Sequence, residues 1–212
     1  DNMTKTNTRS RIVSILLVLA MLLTMVPITA VTANAAEPEW TTVNTFDELK
    51  EAMQRGTKTN IKLGKNINTN DEENHKHGLT SYDDILVGNT ITLDLNGKKL
   101  TLNSGQNNVG SYINVTLGNL TVQDSVGGGE IFLNDEYKGG STLILLLENG
   151  AFTLKSGTIR ATTSGNEKSG ITLIQSYGTV NIEGGTLTCT QKDGTDGRVH
   201  GDPNHWSSCY AL

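Results

Sequence analysis

The sequence predicts an all-β solenoid, a stack of short strands closed at its front by one short helix. Three observations carry this. The stretch Leu145 to Ile159 reads LLLENGAFTLKSGTI, and 28 positions later Leu173 to Leu187 reads LIQSYGTVNIEGGTL, so Gly150 falls on Gly178, Gly157 on Gly185, Leu154 on Ile182 and Ile159 on Leu187. Each copy holds three short alternating runs separated by small or polar residues, the pattern of strand, turn, strand, turn, strand. Aromatic residues make up only 5% of the chain while glycine is plentiful, so the buried side chains must be mostly Val, Ile and Leu on strands, with Gly and Asn at the turns. One such unit cannot bury its apolar face alone, and repetition at a period in the twenties implies stacking.

Residues 1–35 read as a signal peptide. Lys5, Arg9 and Arg11 precede an uncharged apolar run from Ile12 to Ala33, and Ala33, Asn34 and Ala35 give the small-x-small cleavage pattern. A retained anchor is the competing reading, because the run is long enough to span a bilayer. Either way the remainder is expected to be secreted or held at the cell surface, touching a membrane only through this segment. Without residues 1–35 the chain loses three basic residues and one acidic one, leaving 14 against 21 and a net charge of about −7. That balance argues against nucleic acid, which needs clustered positive charge.

Residues 36–57 form the lead-in and the capping helix. Thr45 with Glu48 makes a capping box, Phe46, Leu49 and Met53 share a face, and Gly56 stands at the C-terminal side, so the helix is expected over Thr45 to Arg55. A lone amphipathic helix ahead of stacked strands covers the open end of the core. From residue 58 to 212 the solenoid follows. Lys58 to Leu63 is the first strand, continued by Asn66 and Ile67, and Asn68 to Tyr82 is a charged excursion loop. Alternation resumes at Ile91 to Leu102, where Asn96 and Gly97 suit a hairpin or, better, a corner. In the next coil Val122 matches Leu154 at a spacing of 32 and Ile131 matches Ile159 at 28, so four extra residues sit between Ser125 and Gly129. Ser207 to Leu212 match Ser169 to Ile174 at 38. The chain then stops as a coil opens, which suggests a stack truncated at its C-terminal end.

Asn60 to Leu63 (NIKL), Ile91 to Leu100 (ITLDLNGKKL), Phe152 to Ile159 (FTLKSGTI) and Val180 to Leu187 (VNIEGGTL) resemble the pectin-lyase-like right-handed parallel β-helix domains of secreted and surface-displayed bacterial proteins. The resemblance covers roughly residues 42 to 212. It implies three parallel strands per coil, branched residues inward, and polar residues such as Thr153, Lys155, Asn181 and Glu183 outward. It leaves activity open, since the family holds lyases, hydrolases, adhesins and stalks.

A lyase of this fold needs acids clustered to hold calcium and a base beside the uronate carboxyl; a hydrolase needs carboxylates facing one another across the sugar. Arg160 has no carboxylate near it in sequence and reads as an outward, solvated arginine. Asp71, Glu72 and Glu73, and Asp83 with Asp84, read as solvated loop charge; Asp83, Asp84, Asp193 and Asp196 are the candidates for calcium, the one ion that suits such oxygen-rich loops. His75, His77, His200 and His205 have no standard zinc spacing and read as loop histidines. Trp206, with His205 beside it, and Tyr82 are the aromatics that could stack on a sugar, although Trp206 could equally fold back onto its own loop. Cys189 and Cys209 either bridge, as an exported chain allows, or stay as buried thiols. No Gly-x-Ser-x-Gly, phosphate loop or Cys-x-x-Cys occurs. The expectation is an exported, non-catalytic module for adhesion or spacing, with no resident cofactor and with extracellular polysaccharide or a host surface glycoprotein as partner. The rival is a polysaccharide lyase or glycoside hydrolase.

Overall fold

A computed structural model describes residues 38–54, 59–80, 82–105, 110–135, 141–163, 170–191 and 208–210. Every pair of strands among them is parallel. The protein is an all-β solenoid, a right-handed parallel β-helix with a short helix before its coils.

At the front, β1 (Thr41–Val43) leads into α1 (Phe46–Gln54). The helix starts where the capping box predicts: the Glu48 N–H donates to Thr45 Oγ1 at 3.1 Å, and Glu48 Oε2 accepts from the Asn44 N–H at 2.6 Å. Phe46, Leu49, Ala52 and Met53 are buried against the first coils. Each large apolar side chain covered this way contributes about 1.5–3 kcal/mol, so a helix too short to persist in water is held by packing. The expected C-terminal glycine, Gly56, lies outside the described residues, as does Arg55.

Three ladders build the stack. The first joins β4 (Ile85–Val87), the leading part of β7 (Ser111–Gln123), the leading part of β9 (Ser141–Leu154), β11 (Gly170–Ser176) and β14 (Ser208–Tyr210). The second joins β1, β2 (Asn60–Leu63), β5 (Ile91–Asp94), the trailing parts of β7 and β9, and β12 (Thr179–Ile182). The third joins β3 (Ile67–Asn68), β6 (Lys99–Asn103), β8 (Glu130–Asp135), β10 (Thr158–Thr163) and β13 (Thr186–Gln191). Inward positions such as Leu93, Val122, Leu154, Ile131 and Ile159 are fully buried and stack coil on coil.

Register bears out the spacing argument. Val122 pairs with Leu154 and Ile131 with Ile159, so the four extra residues do swell the turn before Gly129. Ile171 pairs with Cys209, the predicted offset of 38. Asn96 and Gly97 both adopt positive φ, 52° and 69°, and turn the chain from the second ladder into the third, a corner and not a hairpin.

Three expectations are corrected. Ile67 does not continue the first strand; it opens the third ladder beyond a turn at Gly64. The first copy of the repeat is two strands, since β9 runs unbroken around the corner. The 28-residue offset holds on the second and third ladders, where Leu154 pairs with Ile182 and Ile159 with Leu187, whereas on the first Ile144 pairs with Ile174 at an offset of 30. An even slip keeps inward residues inward, so alternation cannot reveal it.

Candidate functional site

The excursion loop is folded, not merely solvated. Two single-turn 3-10 segments, Thr69–Asp71 and Glu73–His75, bring it back against α1. Lys50 Nζ donates to the Tyr82 carbonyl at 2.7 Å and Gln54 Nε2 to the Asp84 carbonyl at 3.2 Å, tying the loop's far end to the helix. At its near end Glu72 Oε1 accepts from the Phe46 N–H at 2.6 Å, meeting one of the N–H groups that a helix start leaves without an internal partner.

Between these ties lies the one histidine that the sequence misplaces. His75 is 5% exposed, although it reads as a loop histidine. Its ring packs edge-on against Phe46, with centroids 5.2 Å apart. Nε2 lies 3.0 Å from Asp47 Oδ1, and Nδ1 lies 3.7 Å from Asp83 Oδ1. Asp47, Glu72 and His75 are the group among the described residues whose ligating atoms all fall within 4.8 Å of one another. The hydrogen bond to His75, outweighing a smaller upward push from burial, holds the Asp47 carboxyl below its usual range; Asn74 and Lys50 add to the effect. His75 and Asp47 are 28 residues apart and no motif joins them, so only the loop's return path could have revealed the cluster.

The other predicted residues fall as follows. Asp83 Oδ2 accepts from Thr80 N and Oγ1, both at 2.8 Å, while Asp84 Oδ2 accepts from Asn114 Nδ2 at 2.8 Å, so the adjacent acids serve different partners. Tyr82 is 88% exposed at the loop tip. His77 is exposed. Cys189 lies half-buried on β13 and Cys209 on β14. Asp193, Asp196, His200, His205 and Trp206 lie outside the described residues.

Arg160 is a correction. Its Nε donates to Glu130 Oε1 at 2.6 Å, and its guanidinium lies 3.7 Å over the Phe132 ring. The carboxylate missing in sequence comes from the preceding coil, where β8 pairs with β10. Lys99 Nζ approaches the same carboxylate at 3.5 Å. Burial pushes Glu130 upward, but the hydrogen bond and charge of Arg160, with Lys99, bring it below the usual value.

Two more carboxylates lock corners. Asp94 Oδ1 accepts from Asn96 N at 2.8 Å and Ser125 N at 3.0 Å; Asp124 accepts from Gly97 N at 2.7 Å and Gly129 N at 2.6 Å. Burial raises both, and the surrounding hydrogen bonds outweigh it and leave both lowered. A general acid for glycoside cleavage needs the opposite shift.

Residues 40–144 match the family described as "Putative pectate lyase-like adhesive domain". This stretch is a pectate-lyase-like β-helix domain. The match takes in α1, the His75 cluster and the coils up to the start of β9, and the doubled coil continues the same ladders beyond it. No curated protein and no solved structure matches the chain.

Proposed function

We propose that this protein is an exported, non-catalytic adhesion module in which the pectate-lyase-like domain presents one side of its stack to extracellular polysaccharide or a surface glycoprotein. The observation that carries it is how the outer surface is used. Asp94, Asp124 and Glu130 are engaged as anions in bonds between coils, whereas exposed groups on the first ladder and its corner are apolar or amide. Leu86, Asn114, Leu145 and Gln175 form one row by register, and Leu117, Leu147 and Tyr177 stand exposed where that ladder turns into the second. Amides bond to hydroxyls while Leu and Tyr cover the apolar faces of sugar rings. The family description, an adhesive domain, points the same way.

Tyr82, His205 and Trp206 are proposed as further sugar contacts, and Asp83, Asp84, Asp193 and Asp196 as calcium ligands where polysaccharide is engaged. We also propose a Cys189–Cys209 bridge, supported by the absence of a free thiol and by the placement of both residues on the last two strands. The test is to pass the protein over immobilised uronate polymers and neutral glycans, with and without calcium, and follow both retention and release of unsaturated products. Retention without products, lost in Tyr177→Ser and Leu147→Ser, is the expected result. Calcium-dependent products would replace this reading with a polysaccharide lyase.

A further inference from the structure

We propose that Asp47, Glu72 and His75 form a site for one divalent ion of the zinc class, which fastens the loop of residues 69–84 to the capping helix. The three ligating atoms lie within 4.8 Å of one another. Tetrahedral zinc, with bonds of about 2.0–2.2 Å, holds its ligands roughly 3.3–3.5 Å apart. His75 Nε2 and Asp47 Oδ1 are already 3.0 Å apart, and Glu72 has less than 2 Å to close by side-chain rotation. Its one bond to the Phe46 N–H leaves lone pairs on the carboxylate for an ion.

An independent observation concerns the imidazole itself. His75 Nδ1 is buried without a hydrogen-bond partner, and Asp83 Oδ1 faces it at 3.7 Å while Asp47 faces Nε2. A neutral imidazole carries a single N–H, so with a carboxylate before each nitrogen one of them presents a lone pair to an anion. An ion on Nε2 removes that conflict: Nε2 ligates, the proton resides on Nδ1, and Asp83 receives it, the carboxylate–histidine–metal relation that orients ligating histidines. Charge favours the same outcome. Asp47, Glu72 and Asp83 surround one ring; Lys50 faces Asp47 from the helix but donates to the Tyr82 carbonyl, and Lys76 pairs with Glu73. A nitrogen donor with two carboxylates suits zinc better than calcium, which takes six or more oxygens. Because Asp47 belongs to the helix and the other two ligands to the loop, the ion acts as a staple.

The test uses the whole protein stripped with a chelator and titrated with zinc chloride, with calcium chloride in parallel, read by competition against a chromophoric chelator and by thermal melting. One equivalent of zinc should bind at this site and raise the melting temperature by roughly 5–10 °C at a hundred times its dissociation constant, with little response to calcium. Glu72→Gln keeps an oxygen for the Phe46 N–H and so should fold, yet weaken zinc binding at least about tenfold. His77→Ala should leave binding unchanged. Zinc held equally well by Glu72→Gln and His75→Gln, or absent altogether, would overturn the site. So would a stability that depends on pH but not on zinc, which would make His75 an imidazolium clasp between Asp47 and Asp83.

Discussion

Gly150→Ala tests the corner geometry on which the stack depends. At this corner Gly118 pairs with Gly150, and Gly178 sits against Gly150 in the next coil. A β-carbon at residue 150 would lie 2.2 Å from the Val115 carbonyl oxygen; one at residue 178 would lie 2.0 Å from the Gly150 oxygen and 2.6 Å from that of Leu147. These are backbone atoms of neighbouring coils, and no rotamer can move them aside, so accommodation requires the coils to separate where their ladder bonds are made. Overpacking of this kind costs about 1–3 kcal/mol, and in a protein of this size each kcal/mol lowers the melting temperature by roughly 2–4 °C. Thermal melts of Gly150→Ala and Gly178→Ala should therefore fall by roughly 4–10 °C. Gly88→Ala is the control: its nearest atom would be Thr116 Oγ1 at 4.0 Å, and its φ is not positive. That change should be neutral or stabilise by up to about 1 kcal/mol through the unfolded chain. Equal melting temperatures for Gly88→Ala and Gly178→Ala would refute the steric reasoning.

Other substitutions and conditions read different parts of the stack. A double-mutant cycle of Arg160→Met with Glu130→Gln should give a coupling of about 1 kcal/mol in urea melts, because Glu130 is largely buried while Arg160 is a third exposed and partly screened. Asp94, Asp124 and Glu130 have folded pKa values below their ordinary 3.8, 3.8 and 4.5. Their contribution is thus complete above those ordinary values and disappears as pH falls through the lower folded ones, so the urea midpoint should stay level from pH 8 to about pH 5 and drop below about pH 4. Reduction of the proposed Cys189–Cys209 bridge should lower stability by about 3 kcal/mol on the loop-entropy account, measured as urea midpoints with and without reductant; an unchanged midpoint would remove the bridge.

Particular residues show how far the sequence reaches. Glycine matching between 150 and 178, and between 157 and 185, established a repeating coil. The spacings of Val122 to Leu154 and of Ile131 to Ile159 located an insertion to within one turn, because a residue that stacks on its equivalent must keep its place in the strand. Thr45 and Glu48 marked the helix start. The two-residue slip on the first ladder was hidden, since an even shift preserves alternation. Arg160 looked solitary because its carboxylate lies 30 residues away in sequence and one strand away in space.

The sequence by itself determined the architecture: strand periodicity, turn glycines and a constant coil length are local, repeated signals that reinforce one another. Only the tertiary structure decided which polar groups meet. Asp47 with His75, Glu72 with the start of the helix, Asp124 with Gly97 and Glu130 with Arg160 join across 26 to 30 residues, and each pairing depends on where a loop returns or which coil stacks on which. Apolar contacts are interchangeable enough to be read from pattern, whereas a hydrogen bond or ion pair needs particular atoms within about 3 Å, a condition that one-dimensional spacing does not encode.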